Sequence, residues 1–315
     1  MGTVAVESTP TVVGSGRLVT GRYRLRSLLG RGGMGRVWLA EDDLLRRRVA
    51  LKQVVLSGHA SEHVRASALA EARAAARLDH HNVVKVHDVI EDSGDHWIVM
   101  ELLSGRTMAD ALASDGPLPT AEVRRIALHL VDALRAVHRA GLVHSDVKPA
   151  NVQLCDDGRV VLTDFGIATT VDDQQTLSSE ALAGSPAYMS PERARGEAAG
   201  PASDLFSLGA TLFAAVEGKS PFGAGDPFST LIAVVEARPG PFVNAGPLRP
   251  IIEDLLAKDP ADRLTLDQTT TALHILPPPH NQPGPEHRSD LPARQPDLVI
   301  PSRTPMRLLG RTNVG

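Results

Sequence analysis

The spacing of apolar residues changes along the chain and predicts a β-rich part followed by a helical part. From residue 23 to about 55, apolar and polar positions alternate over short segments rich in Val and Leu, which predicts a small antiparallel sheet. Residues 60–78 combine Ala with Glu and Arg, a composition that favours a helix. Two further strands are predicted at 83–90 and 96–102.

After Gly105 the apolar spacing becomes helical. Thr120 is predicted to cap a helix that carries one apolar stripe and ends at Gly141. Residues 152–154 and 160–162 flank an Asp-Asp-Gly turn and predict a hairpin. Further helices are predicted at 202–217, 226–237, 247–257 and 265–275. The sequence therefore predicts an α+β protein, with a cleft expected where the β-rich and helical halves meet.

The ends of the chain lack a core-building pattern. Residues 1–20 predict a flexible leader, residues 277–315 a Pro-rich disordered tail, and residues 167–190 a flexible loop. The chain has 315 residues and a net charge of −4, so nothing favours a nucleic-acid partner. It shows no signal peptide and no long apolar span, and Cys155 is its only cysteine. We therefore expect a cytoplasmic protein without a membrane span.

Residues 30–37 fit the pattern G-x-G-x-x-G-x-V. Glycines let backbone N–H groups approach phosphate oxygens without obstruction by side chains. The pattern alone also fits a dinucleotide-binding fold or an ordinary Gly-rich turn. A dinucleotide site requires a helix directly after the glycines, whereas residues 37–40 here continue as a strand. The context therefore argues against a dinucleotide site.

Residues 143–151, Val-His-Ser-Asp-Val-Lys-Pro-Ala-Asn, are the most informative run, and we call them the catalytic loop. Eighteen residues after Asp146 comes Asp164-Phe165-Gly166. An acid, a cation, an amide and a second acid at these spacings suit transfer of a phosphoryl group from a Mg-nucleotide to a hydroxyl. A single Asp is often only a turn or cap residue, but the combined spacing makes that explanation improbable.

Together with Val-Ala-Leu-Lys at 49–52 and Gly-Ser-Pro-Ala-Tyr-Met-Ser-Pro-Glu at 184–192, these runs resemble protein kinases, particularly the bacterial Hanks-type serine/threonine kinases. The resemblance covers about residues 22–275. It implies the bilobal kinase fold, with a kinase domain at 21–276, a small β-rich N-lobe at about 21–103 and a larger helical C-lobe at about 104–276. It also implies ATP-dependent transfer to Ser or Thr of protein substrates, with Mg²⁺ or alternatively Mn²⁺.

The resemblance assigns roles to the charged residues. Asp146 would be the base, Lys148 would neutralise the moving phosphoryl group, and Asn151 and Asp164 would bind the metal ion. Lys52 would hold the nucleotide phosphates. Its implied partner is Glu71, which taken alone would be an ordinary solvated helix charge. The implied nucleotide-binding residues are Leu29, Gly30, Gly32, Gly33, Gly35, Val37, Ala50, Lys52, Met100, Glu101, Leu102, Gln153 and Asp164.

Gln153 and Ser145 depart from the family pattern. Gln153 lies where relatives place an apolar residue beneath adenine, so either ATP binding is weakened or the stem of Gln153 still packs there. Ser145 stands where most relatives carry Arg, which makes the catalytic loop a non-RD type.

In relatives, that Arg pairs with phosphate on the following loop. We therefore expect autophosphorylation to contribute little to activity here. The alternative is that another cation substitutes. Its candidates are Arg31, Arg36 and a residue near Arg73, and the expected phosphorylation sites are Thr176, Ser178 and Ser179.

The resemblance also implies two structural contacts. Asp204 would brace the backbone of the catalytic loop, and Arg263 would form a buried ion pair with Glu192. Self-association for trans-autophosphorylation is a further expectation.

The sequence leaves two rival functions, a pseudokinase scaffold and a small-molecule phosphotransferase. A pseudokinase usually lacks one of the residues at positions 52, 146 and 164, and none is lost here. A small-molecule phosphotransferase would lack the docking segment that residues 184–192 resemble.

Overall fold

The computed structural model describes residues 16–32, 35–54, 70, 72–164, 186–223 and 225–276. Several predictions fall outside these residues. They include most of the helix predicted at 60–78, although its residues 70 and 72–75 are described and are helical. The others concern Gly33, Glu71, Phe165, Gly166, most of the loop at 167–190 with Thr176, Ser178 and Ser179, and the tail at 277–315.

The N-terminal half forms a six-stranded antiparallel sheet of β1 (Leu18–Val19), β2 (Tyr23–Gly32), β3 (Gly35–Asp42), β4 (Arg47–Val54), β5 (Val86–Asp92) and β6 (Asp95–Met100). The strand order in this sheet is β1-β2-β3-β4-β6-β5. The strands predicted from the alternating pattern are therefore confirmed, although β5 lies slightly later in the chain than predicted.

The predicted leader of residues 1–20 is wrong for its last five residues. Leu18 and Val19 pair with Arg24 and Tyr23 of β2. The backbone N–H of Thr20 donates to Asp92 Oδ1 over 2.8 Å. A two-residue strand is too short to show an alternating pattern, so only its pairing reveals it.

The C-terminal half is helical, with a small three-stranded sheet at its start. That sheet contains β7 (Arg106–Thr107), β8 (Val152–Leu154) and β9 (Val160–Leu162), and it confirms the predicted hairpin. The described α-helices are α1 (Met108–Asp115), α2 (Thr120–Arg139), α3 (Pro191–Ala194), α4 (Pro201–Glu217), α5 (Pro227–Glu236), α6 (Arg249–Leu255) and α7 (Leu266–Ile275). No helix in the described part of the chain is long and apolar enough to cross a bilayer.

Three details of the helices differ from the sequence prediction, one of which is that the four-residue α3 was not predicted. Thr120 is the first residue of α2 and Pro119 holds the cap position, so Thr120 is not the cap. The short helix α1 was not predicted. It is held by a capping box between Thr107 and Asp110, a local hydrogen-bond pattern that compensates for the little apolar surface of an eight-residue helix.

The predicted pair between Arg263 and Glu192 is confirmed. The guanidinium of Arg263 donates to both carboxylate oxygens of Glu192, over 2.8 and 2.7 Å, and both side chains are buried. Ser203 Oγ donates to the same carboxylate over 2.7 Å. Burial alone would raise the pKa of Glu192, but these donors lower it to about 2. The pair therefore anchors α3 to the segment that leads into α7.

We predict that Arg263→Ala lowers the free energy of unfolding by about 3–5 kcal/mol, because it leaves the Glu192 carboxylate buried without its cation. Urea unfolding at neutral pH measures the change. Arg24→Ala is the matched control. It breaks an ion pair of the same 2.7 Å length to Asp43, but its side chain is more than a third exposed. That control should cost less than about 1 kcal/mol.

The pH dependence provides a second measure of the same pair. Because the pKa of Glu192 is depressed on folding, its stabilisation is present above its ordinary pKa of 4.5 and is lost as the pH falls towards 2. The unfolding free energies of the wild type and Arg263→Ala should therefore converge over this pH range. A constant difference between the two would contradict the assignment.

Candidate active site

The register of the N-terminal sheet places four predicted nucleotide-binding residues together. Val37 of β3 pairs with Lys52 of β4, and Ala50 pairs with Met100 of β6. Ala50 and Lys52 share one face of β4 because side chains alternate along a strand. Ala50 and Met100 belong to the same apolar cluster as the helical half, whereas Leu51 belongs to a separate cluster. This face of the sheet therefore looks towards the C-terminal half.

Three of the predicted glycines, Gly30, Gly32 and Gly35, lie in β2 and β3. Gly30 pairs with Val37, and Gly32 pairs with Gly35, whose φ of 132° lies in a region that disfavours side chains. A Cβ at Gly30 would meet no atom within 4 Å, and Leu29 beside it is 52% exposed. This open surface leaves room for a phosphate chain to approach the backbone.

Lys52 forms an ion pair with Asp164. Its Nζ donates to Asp164 Oδ1 over 2.8 Å, and only 9% of the Lys52 side chain is exposed. Burial alone would raise the pKa of Asp164, but the nearby ammonium of Lys52 outweighs it and lowers that pKa. Asp164 is therefore a carboxylate at neutral pH. The sequence predicted a different partner for Lys52, Glu71, which lies outside the described residues, so that pair stays a prediction.

Three predicted residues of the catalytic loop meet around the Asp146 carboxylate. Lys148 Nζ lies 2.8 Å from Asp146 Oδ2. Asn151 Nδ2 donates to the same oxygen and to the Asp146 carbonyl, each over 2.8 Å. The proposed base is thus held by a cation and an amide.

Thr163 joins the catalytic loop to Asp164, which follows it directly. The backbone N–H and hydroxyl of Thr163 donate to the Asn151 carbonyl, over 2.9 and 3.1 Å. The Thr163 carbonyl lies 3.0 Å from His144 Nε2. Burial lowers the pKa of His144, so the ring is neutral and donates from Nε2. Its Nδ1 then accepts from the Asp146 N–H, over 3.3 Å.

Asp204, in the first turn of α4, braces the catalytic loop as predicted. Its fully buried carboxylate accepts the backbone N–H groups of His144 and Ser145, over 2.9 and 2.8 Å. His138 Nε2 lies 2.8 Å from the same carboxylate. The start of a helix favours a negative charge at this point.

Ser145 has a left-handed backbone, with a φ of 65°. Such a conformation is uncommon for residues other than glycine and costs about 1–2 kcal/mol. The Ser145 carbonyl accepts a hydrogen bond from Arg193 Nη1 of α3. Arg193 was not predicted from the sequence, because its only signal was a cation directly after the Pro-Glu of residues 191–192.

Glu101 follows Met100 and links the two halves of the chain. Its N–H donates to the Lys85 carbonyl and its Oε1 accepts the Lys85 N–H, each over 2.9 Å. Its Oε2 accepts from Arg159, which lies just before β9, over 3.3 Å. Leu102, the next residue, packs against the main apolar cluster. Residues 101–102, which we call the connecting segment, are thus fixed to both halves.

Gln153 uses its amide within the protein. Its Nε2 donates to the carbonyl of Ser104, just beyond the connecting segment, over 2.8 Å. The amide N–H of Gln153 is therefore satisfied by the backbone. Whether ATP binding is weakened or the Gln153 stem packs beneath adenine stays a prediction.

The donors present fit a magnesium ion. Because Asn151 Nδ2 is used by Asp146, the amide oxygen of Asn151 remains as one candidate ligand, and the carboxylate of Asp164 is the other. Such hard oxygens suit Mg²⁺, which commonly takes one or two protein ligands and completes its shell with phosphates and water. A metal site made of three or more His, Cys, Asp or Glu side chains does not occur among the described residues, so this candidate site has fewer protein ligands than that.

Known relatives are found by sequence and by structure. The chain is 37% identical over 255 residues to the serine/threonine-protein kinase PknA of Mycobacterium tuberculosis, a match that spans 79% of this chain and 59% of PknA. It is 35% identical over 254 residues to the serine/threonine-protein kinase PrkC of Bacillus subtilis, spanning 79% and 39%. The chain therefore matches about three fifths of PknA and two fifths of PrkC.

A solved structure supports the same relationship. The kinase domain of Mycobacterium tuberculosis PknI superposes with a TM-score of 0.65 at 27% identity, covering 84% of this chain and 98% of that one. Residues 23–275 match the protein kinase domain. The resemblance to bacterial Hanks-type kinases is thereby confirmed, and the chain belongs to the protein kinase domain family.

Proposed function

We propose that this chain transfers the γ-phosphoryl group of MgATP to Ser or Thr hydroxyls of proteins. The observation that carries the proposal is the Asp146 carboxylate held between Lys148 and Asn151. Its loop is joined through Thr163 to the pair of Lys52 and Asp164. The names of the relatives PknA and PrkC support the same activity.

Each charged group has a task in this reaction. Asp146 orients the substrate hydroxyl and accepts its proton. Lys148 lies beside that carboxylate and neutralises charge on the moving phosphoryl group. Lys52, nearly buried, holds the nucleotide phosphates. These groups are fixed before substrate binds, so little reorganisation is required during transfer.

Nucleotide and metal ion would bind on the face of the sheet that looks towards the helical half. Val37, Ala50 and Met100 offer an apolar surface for adenine. Bound Mg²⁺ would neutralise phosphate charge, and Asn151 and Asp164 would hold it. Mn²⁺ accepts the same oxygen donors, so it is a plausible substitute.

A protein is favoured over a small molecule as the phosphoryl acceptor. Residues 186–192, part of the segment that resembles a docking surface, form a short helical turn at Pro186–Tyr188 followed by α3. The pair of Glu192 and Arg263 anchors this segment. A pseudokinase is disfavoured because Lys52, Asp146 and Asp164 are all present and Lys52 contacts Asp164.

We further propose the organisation around this activity. Residues 21–276 would be the kinase domain, with β1 added at its N-terminal edge, and residues 277–315 are a Pro-rich segment that follows it. Copies of the chain would associate transiently for trans-autophosphorylation. The single cysteine fits a reducing compartment, which supports a cytoplasmic location.

Asp146→Asn should fold normally and lower kcat by about 10²–10⁴, because the base is lost while its contacts to Asn151 remain available. Transfer from radiolabelled ATP to a casein-type protein measures the effect, with Asp164→Ala as the inactive reference. Asp254→Asn changes an exposed Asp of α6 and should retain full activity. Retention of more than about a tenth of kcat in Asp146→Asn would contradict the role of Asp146.

Autophosphorylation should occur at Thr176, Ser178 or Ser179, because hydroxyl-rich loops of this kind are commonly modified by the kinase itself. Mass spectrometry of the protein incubated with MgATP tests this, with Asp164→Ala as the control. Absence of phosphate from all three residues in the active protein would contradict the prediction, and so would equal phosphorylation of the control.

A further inference from the structure

The peptide group that joins Ser145 to Asp146 is held at both ends by side chains. Its carbonyl accepts from Arg193, and its N–H donates to His144 Nδ1 over 3.3 Å. The preceding N–H, that of Ser145, donates to Asp204 over 2.8 Å. A rotation of this peptide group would displace the Asp146 side chain. Because the left-handed φ of Ser145 is unfavourable, surrounding contacts must hold it.

Arg193 comes from a firmly anchored element. The neighbouring residue Glu192 is buried and bound by both terminal nitrogens of Arg263. The position of α3 is thus set independently of the catalytic loop, and Arg193 reaches from it to a residue 48 positions earlier.

The guanidinium of Arg193 is placed at a cost to its own hydrogen bonding. Its Nε is buried and has no hydrogen-bond partner within the described part of the chain. Buried donors are rarely left unsatisfied in proteins, and an exception calls for an explanation. Contact with the catalytic loop provides one, because the same guanidinium donates to the carbonyl next to the base.

We propose that Arg193 is a positioning residue, which holds the Ser145 carbonyl and so fixes the orientation of Asp146. This inference rests on the proposed kinase activity and deepens it. Arg193 is a cation on α3, and it acts on the backbone of the catalytic loop. It was not among the substitutes considered from the sequence, Arg31, Arg36 and a residue near Arg73, and its contact requires no phosphate.

The first test compares Arg193→Ala, Arg193→Lys and Arg195→Ala. Arg195 follows in the same segment and is exposed, so its replacement controls for loss of a nearby positive charge. Arg193→Ala should lower kcat about 10–100-fold, because small misplacements of reacting groups are costly. Its KM for ATP should change less than about threefold. Arg193→Lys should recover part of kcat, and Arg195→Ala should match the wild type.

The second test separates support of the backbone from binding of a loop phosphate. Arg193→Ala is repeated in a protein in which Thr176, Ser178 and Ser179 are all replaced by Ala. If Arg193 holds the carbonyl, the loss of kcat persists in this background. If the loss disappears there, Arg193 acts through phosphate and the proposal is overturned.

Hydrogen exchange provides a readout that does not depend on activity. The peptide covering 143–152 should exchange faster in Arg193→Ala than in the wild type or Arg195→Ala, with peptides of α4 unchanged. Unchanged exchange in 143–152, or unchanged kcat, would overturn the inference. A wild type no more active than Asp164→Ala would overturn the proposed function instead, and the exchange rates would still decide the role of Arg193.

Discussion

The geometry of the candidate site depends on one buried carboxylate, that of Asp204. A charge removed from water is tolerated only when hydrogen bonds compensate it. Here two backbone N–H groups of the catalytic loop and the ring of His138 provide that compensation. Because these N–H groups belong to His144 and Ser145, another path of the loop would remove two of the three contacts that compensate Asp204. The shape of the loop is thus set by a residue of α4.

This constraint extends from the loop to the rest of the site through short, directional contacts. His144, held by Asp204, contacts the carbonyl of Thr163 and the N–H of Asp146. Thr163 precedes Asp164, whose carboxylate reaches the sheet through Lys52. A helix of the C-terminal half therefore influences where the base, the metal-binding carboxylate and the phosphate-binding lysine lie. Such fixed charges stabilise a transition state more effectively than mobile ones.

Much of this arrangement could be predicted from the sequence because its signals are local. Alternating apolar residues indicated the strands, and the spacing from Asp146 to Asp164 indicated the chemistry. What the sequence did not indicate depends on contacts between distant residues. Arg193 meets Ser145 across 48 positions, and Lys52 meets Asp164 across 112. The left-handed backbone of Ser145 could not be predicted from the sequence either, because Ser does not favour that conformation and surrounding contacts impose it.

The most direct test of this account is the kcat of Asp204→Asn. Asparagine keeps the size of the side chain but removes the charge and replaces one acceptor with a donor. The account predicts a folded protein with kcat lowered at least about tenfold, since weakened charge-assisted hydrogen bonds cost about 1.5–3 kcal/mol. A folded Asp204→Asn protein with kcat within about twofold of the wild type would contradict the claim that this carboxylate shapes the active site.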